Sequence, residues 1–152
     1  MPQRTQQAES ANSLKYLAKA GVQVGLEGRD ESPTYAIIDS QSVKTGAEAR
    51  DPVGFDAGKK VKGRKRHILV DTLGLILKAE VHSAGVQDRD GAALVFDRLT
   101  RRFPFIAKIC GDGAYQGPIV QAASPRSMEI VKRNQPGFEV LPKRWIVERT
   151  FA

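Results

Sequence analysis

The chain has 152 residues, of which 41% are hydrophobic and 27% are charged. That composition supplies one ordinary hydrophobic core and excludes a disordered tail, so a single domain is expected. The net charge of +7 favours a polyanionic partner, of which nucleic acid is the commonest. The single cysteine excludes an internal disulfide framework and a Cys-rich zinc site, and it is typical of the reducing cytoplasm. No run is long and apolar enough for a membrane span or a signal peptide, so we expect an intracellular protein with no membrane partner.

The first fifth of the chain is mostly polar. Residues 1–33 are rich in Gln, Ser and Gly, and we interpret them as a loosely ordered leader that precedes the folded domain over residues 34–152. A weak apolar pattern within the leader is consistent with one short helix, at Leu14, Leu17, Ala18 and Val22.

Apolar runs then alternate with turn signals. The run from Tyr35 to Asp39 predicts a buried strand that ends in a carboxylate, whereas the polar stretch from Ser40 to Lys65, with its glycines and its cluster of Lys and Arg, predicts a basic loop. The later elements are a strand at Arg66–Asp71, a tight turn at Asp71–Gly74, a strand at Leu75–His82, a helix from Asp90 to Phe103 capped by Asp88 or Asp90, a strand at Lys108–Asp112, a short helix at 119–123, a strand at Met128–Lys132 and a last helix that opens at Pro142. The helix at Asp90–Phe103 places positions 92, 95, 96, 99 and 103 on one apolar face.

Three acids stand out in this arrangement. Asp39 and Asp112 each end a predicted strand, and Glu148 lies on the last helix. Each also has a plainer interpretation, because Asp is a leading turn former and Glu148 follows Arg144 by one helical turn, as in a surface ion pair. Residue type and spacing alone leave both interpretations open.

Five blocks of sequence carry a specific resemblance. They are Ile37–Lys44 (IIDSQSVK), Gly58–His67 (GKKVKGRKRH), Val86–Gly91 (VQDRDG), Gly111–Tyr115 (GDGAY) and Pro142–Arg149 (PKRWIVER). In this order they resemble the blocks of bacterial insertion-sequence transposases of the insertion sequence five group. The element order, strand-strand-strand-helix-strand-helix-strand-helix, is similar to the mixed α/β sheet of the ribonuclease-H-like fold shared by DDE transposases and retroviral integrases.

The resemblance implies a catalytic triad of Asp39, Asp112 and Glu148, which would also be the metal ligands. It implies metal-dependent cleavage of a DNA strand and its transfer to another strand, with Mg²⁺ or Mn²⁺, in two copies, as the cofactor. The chemistry suits these residues, because hard carboxylate oxygens hold such cations while phosphate and water fill the remaining positions.

The last block matches the family signature only in part. Relatives carry a spaced Tyr, Arg, Glu, Lys signature on this helix; Arg144 and Glu148 match it, Leu141 stands at the Tyr position, and the Lys would fall beyond Ala152. We therefore expect a C-terminally truncated catalytic domain whose last helix lacks the length and packing to fix Glu148, and so a poor catalyst by itself.

The basic residues are expected to contact DNA. They are Lys44, Lys59, Lys60, Lys62, Arg64, Lys65, Arg66, Lys143, Arg144 and Arg149. A solvated charged face is the plainer interpretation of the same cluster. The implied partners are the terminal inverted repeats of the element, target DNA, an upstream-frame transposase product and further copies of the chain, in the bacterial cytoplasm and its nucleoid.

Other interpretations of single motifs are weaker. Gly54 to Lys60 lacks the spacing and the Ser or Thr of a phosphate-binding loop, and His67 and His82 have no third ligand at a zinc-binding spacing. Cys110 in its apolar strand predicts a core residue. For Trp145 we favour packing beneath the last helix over stacking on an unpaired base.

Two further functions compete with the active transposase. One is a catalytically inactive transposase remnant that at most binds DNA through its basic loop. The other is a stand-alone nucleic-acid-binding module, which accounts for the charge but leaves the ordered acids unexplained.

Overall fold

The computed structural model describes residues 32–132 and 143–152. The short helix predicted near Leu14, the position of Leu141 and the helix start predicted at Pro142 lie outside the described residues. The chain from Thr34 to Ala152 forms one compact unit.

The described part of the chain alternates strands and short helices. Its elements are β1 (Tyr35–Lys44), β2 (Gly54–Asp56), β3 (Val61–Val70), β4 (Ile76–Ser83), α1 (Asp88–Phe96), α2 (Leu99–Arg102), β5 (Lys108–Asp112), a 3₁₀ turn (Gly113–Tyr115), α3 (Pro118–Ala123), β6 (Ser127–Val131) and α4 (Arg144–Phe151). None of these helices has the length and apolar character needed to cross a membrane.

The six strands form one mixed sheet. Its strand order is β2-β3-β1-β5-β6, and β4 pairs with β3 beside β2. The first four strands pair antiparallel, while β5 runs parallel to β1 and β6 runs parallel to β5. This arrangement confirms the predicted mixed α/β sheet of the ribonuclease-H-like class.

The predicted basic loop is wrong, because much of it is strand. β1 continues to Lys44, and its polar second half pairs with β3 from Gly63 to His67. Burial along β3 alternates, with Gly63, Lys65 and His67 facing inward. A half-buried strand is normally predicted from the alternation of apolar and polar residues. That alternation is absent here, because the inward positions hold glycine and polar side chains. The short β2 strand was missed for the same reason.

The helix predicted from Asp90 to Phe103 is interrupted. α1 ends at Phe96 and α2 begins at Leu99, and between them Arg98 has a left-handed backbone with φ of 56°. The residue before α1 is Gln87, which makes no side-chain cap hydrogen bond, so the predicted Asp cap is also wrong. The predicted apolar face is confirmed despite the break, because its five positions are all buried: Ala92, Val95, Phe96, Leu99 and Phe103.

The last helix packs firmly on the sheet. Ile146 and Val147 join a buried cluster with Ile37, Ile68, Val70 and Cys110. The hydroxyl of Thr150 donates to the Gly74 carbonyl at 3.1 Å, and Arg149 Nη2 donates to the Leu73 carbonyl at 3.1 Å. The expectation of a poorly packed last helix is therefore wrong, whereas the prediction that Cys110 is a core residue is confirmed.

Gly91 sets how closely α1 approaches the sheet. A Cβ atom added there would overlap the ring of His67 and lie 2.8 Å from His82 Nε2. We expect Gly91→Ala to lower the free energy of unfolding by about 1–3 kcal/mol, because overcrowding outweighs the better helix propensity of alanine. Urea unfolding measures it, and Gly46→Ala is the control, since a Cβ at Gly46 has no heavy atom within 4 Å. Equal stability of the two variants would contradict the close approach.

Candidate active site

The parallel pairing of β1 with β5 brings two of the predicted acids together. The last paired residues are Ile37 and Cys110, and Asp39 and Asp112 each lie two positions beyond them. Because side chains alternate between faces along a strand, the two carboxylates fall on the same face of neighbouring strands. Asp112 ends β5 as predicted, whereas Asp39 lies inside β1, where it pairs with Ile68 of β3.

Arg144 joins all three predicted acids at one point. Its Nη2 lies 3.2 Å from Asp39 Oδ2 and 3.5 Å from Glu148 Oε1, and its Nη1 lies 3.5 Å from Asp112 Oδ2. The side chain of Arg144 is 12% exposed and that of Asp39 is 13% exposed, whereas that of Glu148 is 57% exposed. The carboxylates of Asp39 and Asp112 therefore line the inner part of the cluster, and Glu148 lies at its rim.

Local hydrogen bonds orient the two aspartates. The backbone N–H of Ser40 donates to Asp39 Oδ1 at 2.8 Å, and that of Ala114 donates to Asp112 Oδ1 at 2.9 Å. In both residues the other oxygen, Oδ2, faces Arg144. Each carboxylate is thus held by its own backbone on one side and presents one oxygen to the shared centre.

The pKa values reflect this crowding. Burial raises the pKa of Asp39, and the Asp112 carboxylate adds to the rise, while Arg144 and the Ser40 N–H oppose it. Burial acts to lower the pKa of Arg144, but the three carboxylates raise it overall, so the guanidinium stays charged. The cluster is an excess of negative charge around one cation.

The carboxylate oxygens of this cluster are the kind of ligand that hard divalent cations bind. Mg²⁺ and Mn²⁺ prefer carboxylate oxygen, and all three acids supply it. Within residues 32–132 and 143–152, no three His, Cys, Asp or Glu side chains are grouped closely enough to hold an ion together. The Arg144 guanidinium contacts each of the three acids.

A second charged cluster lies behind β1 and was not predicted. Lys65 Nζ lies 3.1 Å from Asp56 Oδ2 and 2.8 Å from Asp88 Oδ1, and its side chain is 4% exposed. Burial acts to lower the pKa of Lys65, but hydrogen bonds to the two carboxylates raise it overall. Lys65 is thus an internal cation that joins β2, β3 and α1, which separates it from the other predicted DNA contacts.

This internal cluster reaches the chain next to Asp39. Asp56 accepts a hydrogen bond from the Ser42 hydroxyl at 2.6 Å and another from the backbone N–H of Lys59 at 3.0 Å. The ammonium of Lys59 in turn donates to the Ser40 carbonyl at 3.1 Å. The cluster therefore fixes the segment of β1 that follows Asp39.

The two histidines, distant in sequence, also meet here. His67 Nδ1 and His82 Nε2 are 2.8 Å apart, and His67 is fully buried. Burial, with His82 adding to the effect, lowers the pKa of His67 to about 4, so the ring is neutral near pH 7. Their positions on paired strands, with Gly91 of α1 above them, indicate a packing role at the junction of helix and sheet.

The remaining basic residues predicted to contact DNA divide into two groups. Four are exposed lysines on β1, on β3 and in the turn before β3: Lys44, Lys59, Lys60 and Lys62, of which Lys59 also donates its ammonium to Ser40. The others make contacts within the chain: Arg64 donates to the Arg50 carbonyl, Arg66 donates to Gln41 and lies over Phe151, Lys143 lies over Tyr35, and Arg149 lies over Trp145. Trp145 is 48% exposed, so the expectation that it packs in the core is wrong.

Comparison with known proteins identifies the class. Residues 31–152 match the family described as Transposase DDE domain, and the chain therefore belongs to that family. Comparison with curated proteins gives no match. Among solved structures, the chain is similar to piggyBac transposase in a cryo-EM synaptic complex with hairpin DNA, with a TM-score of 0.46 and 14% identity over 69% of this chain. It spans 24% of the length of that protein.

The burial of Lys65 yields a test of its role. We expect Lys65→Met to lower the free energy of unfolding by about 3–5 kcal/mol, because it leaves the buried Asp56 and the partly buried Asp88 without their cation. The matched control is Lys62→Met on the same strand, whose exposed side chain should change stability by less than about 0.5 kcal/mol. Urea unfolding of the two variants gives the comparison. A Lys65→Met protein as stable as Lys62→Met would show that the ammonium is solvated instead.

Proposed function

We propose that residues 34–152 form the catalytic domain of a DDE transposase of the insertion sequence five group. Its reaction is the cutting of a DNA strand and the joining of the freed 3′ end to another strand. The observation that carries the proposal is the meeting of Asp39, Asp112 and Glu148 around Arg144, since these acids come from two strands and a helix far apart in sequence. An ion pair of purely local origin would need only Arg144 and Glu148.

The three carboxylates are the proposed ligands of two divalent cations, Mg²⁺ or Mn²⁺. When bound, such ions would activate the attacking oxygen as a nucleophile and neutralise the charge on the leaving oxygen of a phosphodiester. Asp39 and Asp112 supply ligands fixed by strand pairing and by backbone hydrogen bonds. Glu148 supplies a more exposed carboxylate from the packed helix α4. Rigid strands and a packed helix keep the acids in a constant arrangement, which phosphoryl transfer requires.

Exposed basic residues of the domain suit a DNA backbone. Lys44 is exposed on β1, Lys60 in the turn that precedes β3, and Lys62 on β3. Lys59 brings a positive charge to the Ser40 carbonyl, directly beside Asp39. Arg149 and the exposed Trp145 add a cation and an aromatic face on α4, beside the exposed Glu148. Ammonium and guanidinium groups bind phosphate without reading sequence, so this surface would position DNA rather than select it.

The further partners follow from the proposed reaction. They are the terminal repeats of the element and target DNA, with a second copy of the chain and an upstream-frame product as protein partners. The proposed location is the bacterial nucleoid, where that DNA is found.

The catalytic proposal predicts a strict dependence on the three acids. Asp39→Asn, Asp112→Asn and Glu148→Gln should each lower metal-dependent nicking of a duplex that carries the element ends by at least about a hundredfold, because a misplaced or missing ligand disrupts the reacting geometry. The assay compares Mg²⁺, Mn²⁺ and a chelator, with Asp97→Asn, an exposed surface acid, as the control. Binding of that duplex without any metal-dependent cleavage would favour the inactive, DNA-binding remnant.

The basic surface predicts a change in salt dependence. Replacing Lys60 and Lys62 with Ala should weaken binding of all duplexes alike and flatten the slope of log K against log salt by about 0.9 per lost phosphate contact. The control is the double replacement of Arg89 and Arg101, which are exposed on α1 and α2 and carry the same charge. Fluorescence anisotropy over a range of salt concentrations measures both. An equal effect of the two double variants would mean that net charge, not this surface, determines binding.

A further inference from the structure

The centre around Arg144 carries an inference beyond the ligand set, and it rests on the proposed function. Three carboxylates contact one guanidinium, at distances of 3.2, 3.5 and 3.5 Å. The guanidinium side chain is 12% exposed, so the surrounding chain shields these charges in part from water. A cation of some kind is therefore needed there, because like charges so close together repel strongly when water is partly excluded.

Arg144 provides that cation, and its guanidinium faces one oxygen of Asp39 and one of Asp112. Mg²⁺ binds oxygen ligands at about 2.0–2.1 Å. It cannot reach the inner oxygens of Asp39 and Asp112 while both face the guanidinium, since two cations would then share one small space. The same contact explains why the described acids do not form a preassembled metal-binding group.

We propose that Arg144 is an exchangeable counter-ion: its guanidinium neutralises Asp39, Asp112 and Glu148 until a divalent cation takes its place. The exchange needs only the side chain to turn away. Ile146 and Val147, which lie between Arg144 and Glu148, anchor α4 in the core, so Glu148 keeps its position while the guanidinium leaves. The apparent affinity for metal is then lowered by the fraction of molecules in which Arg144 fills the centre.

The first test measures Mn²⁺ binding to the full chain without DNA, by isothermal titration calorimetry and electron paramagnetic resonance. Removing the competing cation in Arg144→Gln should tighten Mn²⁺ binding by roughly tenfold or more. Arg101→Gln, an exposed arginine on α2 with the same charge change, is the control and should leave the affinity unchanged. Adding Asp39→Asn to Arg144→Gln should abolish the tightened binding, which assigns it to this centre.

The second test needs no substitution and so holds even where Arg144→Gln fails to fold. The side-chain N–H groups of Arg144 in the wild-type chain can be followed by nitrogen-15 NMR while Mg²⁺ is added. We expect the slowly rotating, ion-paired guanidinium to change to the rapidly averaged signal of a free arginine as Mg²⁺ binds.

The outcomes separate this proposal from the proposed function. Equal or weaker Mn²⁺ binding by Arg144→Gln, with Asp39→Asn still abolishing it, would overturn the exchange and leave Arg144 as a residue that positions the acids. An Arg144 signal that stays ion-paired at saturating Mg²⁺ would overturn the exchange in the same way. Absence of metal binding in every variant would overturn both the exchange and the metal-dependent function.

Discussion

The contact of one guanidinium with three carboxylates is the interaction around which this domain is organised. Asp39 and Asp112 reach it because β1 and β5 pair in parallel, and the register sets both residues two positions past the last paired residues. Arg144 and Glu148 reach it because α4 buries Ile146 and Val147 against the same sheet. Strand register and helix packing are separate constraints, and the site exists only where both are met. A slip of one residue in either strand would turn its aspartate to the opposite face.

The charges form two groups, one on each face of the sheet at β1. At the candidate active site, negative charge exceeds positive charge and part of it is open to solvent, at Glu148. Around Lys65 the charges are mostly buried, and Asp56 also accepts hydrogen bonds from Ser42, Gly58 and Lys59. A mostly buried, ion-paired cluster adds rigidity, whereas an exposed excess of carboxylate attracts cations. The cluster around Lys65 holds the strand in place, and the cluster around Arg144 is suited to binding.

Sequence patterns predicted the apolar parts of this fold well. The strand at Lys108–Asp112, the apolar face through Ala92 and Phe103, and the buried Cys110 all follow from periodicity and from burial of apolar side chains. The predicted bounds of β4 and β6 each differ by one residue at either end. Such segments are predictable because the hydrophobic effect acts on each of them in nearly the same way wherever they pack.

The polar parts were predicted poorly, and the reasons are physical. Lys65 is buried because two carboxylates from β2 and α1 meet it there, and no local pattern reports partners so far away. The break at Arg98 leaves the apolar face intact, so periodicity passes over it. Trp145 was expected in the core from its residue type, but its neighbours Ile146 and Val147 take the inward positions of α4. Likewise, the shared contact of Arg144 with Asp39 and Asp112 depends on tertiary packing, although residue type and family resemblance had named each residue separately.

The central claim is that Asp39, Asp112 and Glu148 bind metal as one centre, and iron-mediated cleavage of the chain tests it most directly. Fe²⁺ that replaces Mg²⁺ in an oxygen-ligand site, in the presence of ascorbate and peroxide, generates hydroxyl radicals that cut the backbone beside the bound ion. We expect three sets of cuts, near residues 39, 112 and 148, that appear together and are suppressed together by excess Mg²⁺. Cuts that appear only around Asp56 and Asp88, or cuts near one of the three acids without the other two, would contradict a single centre.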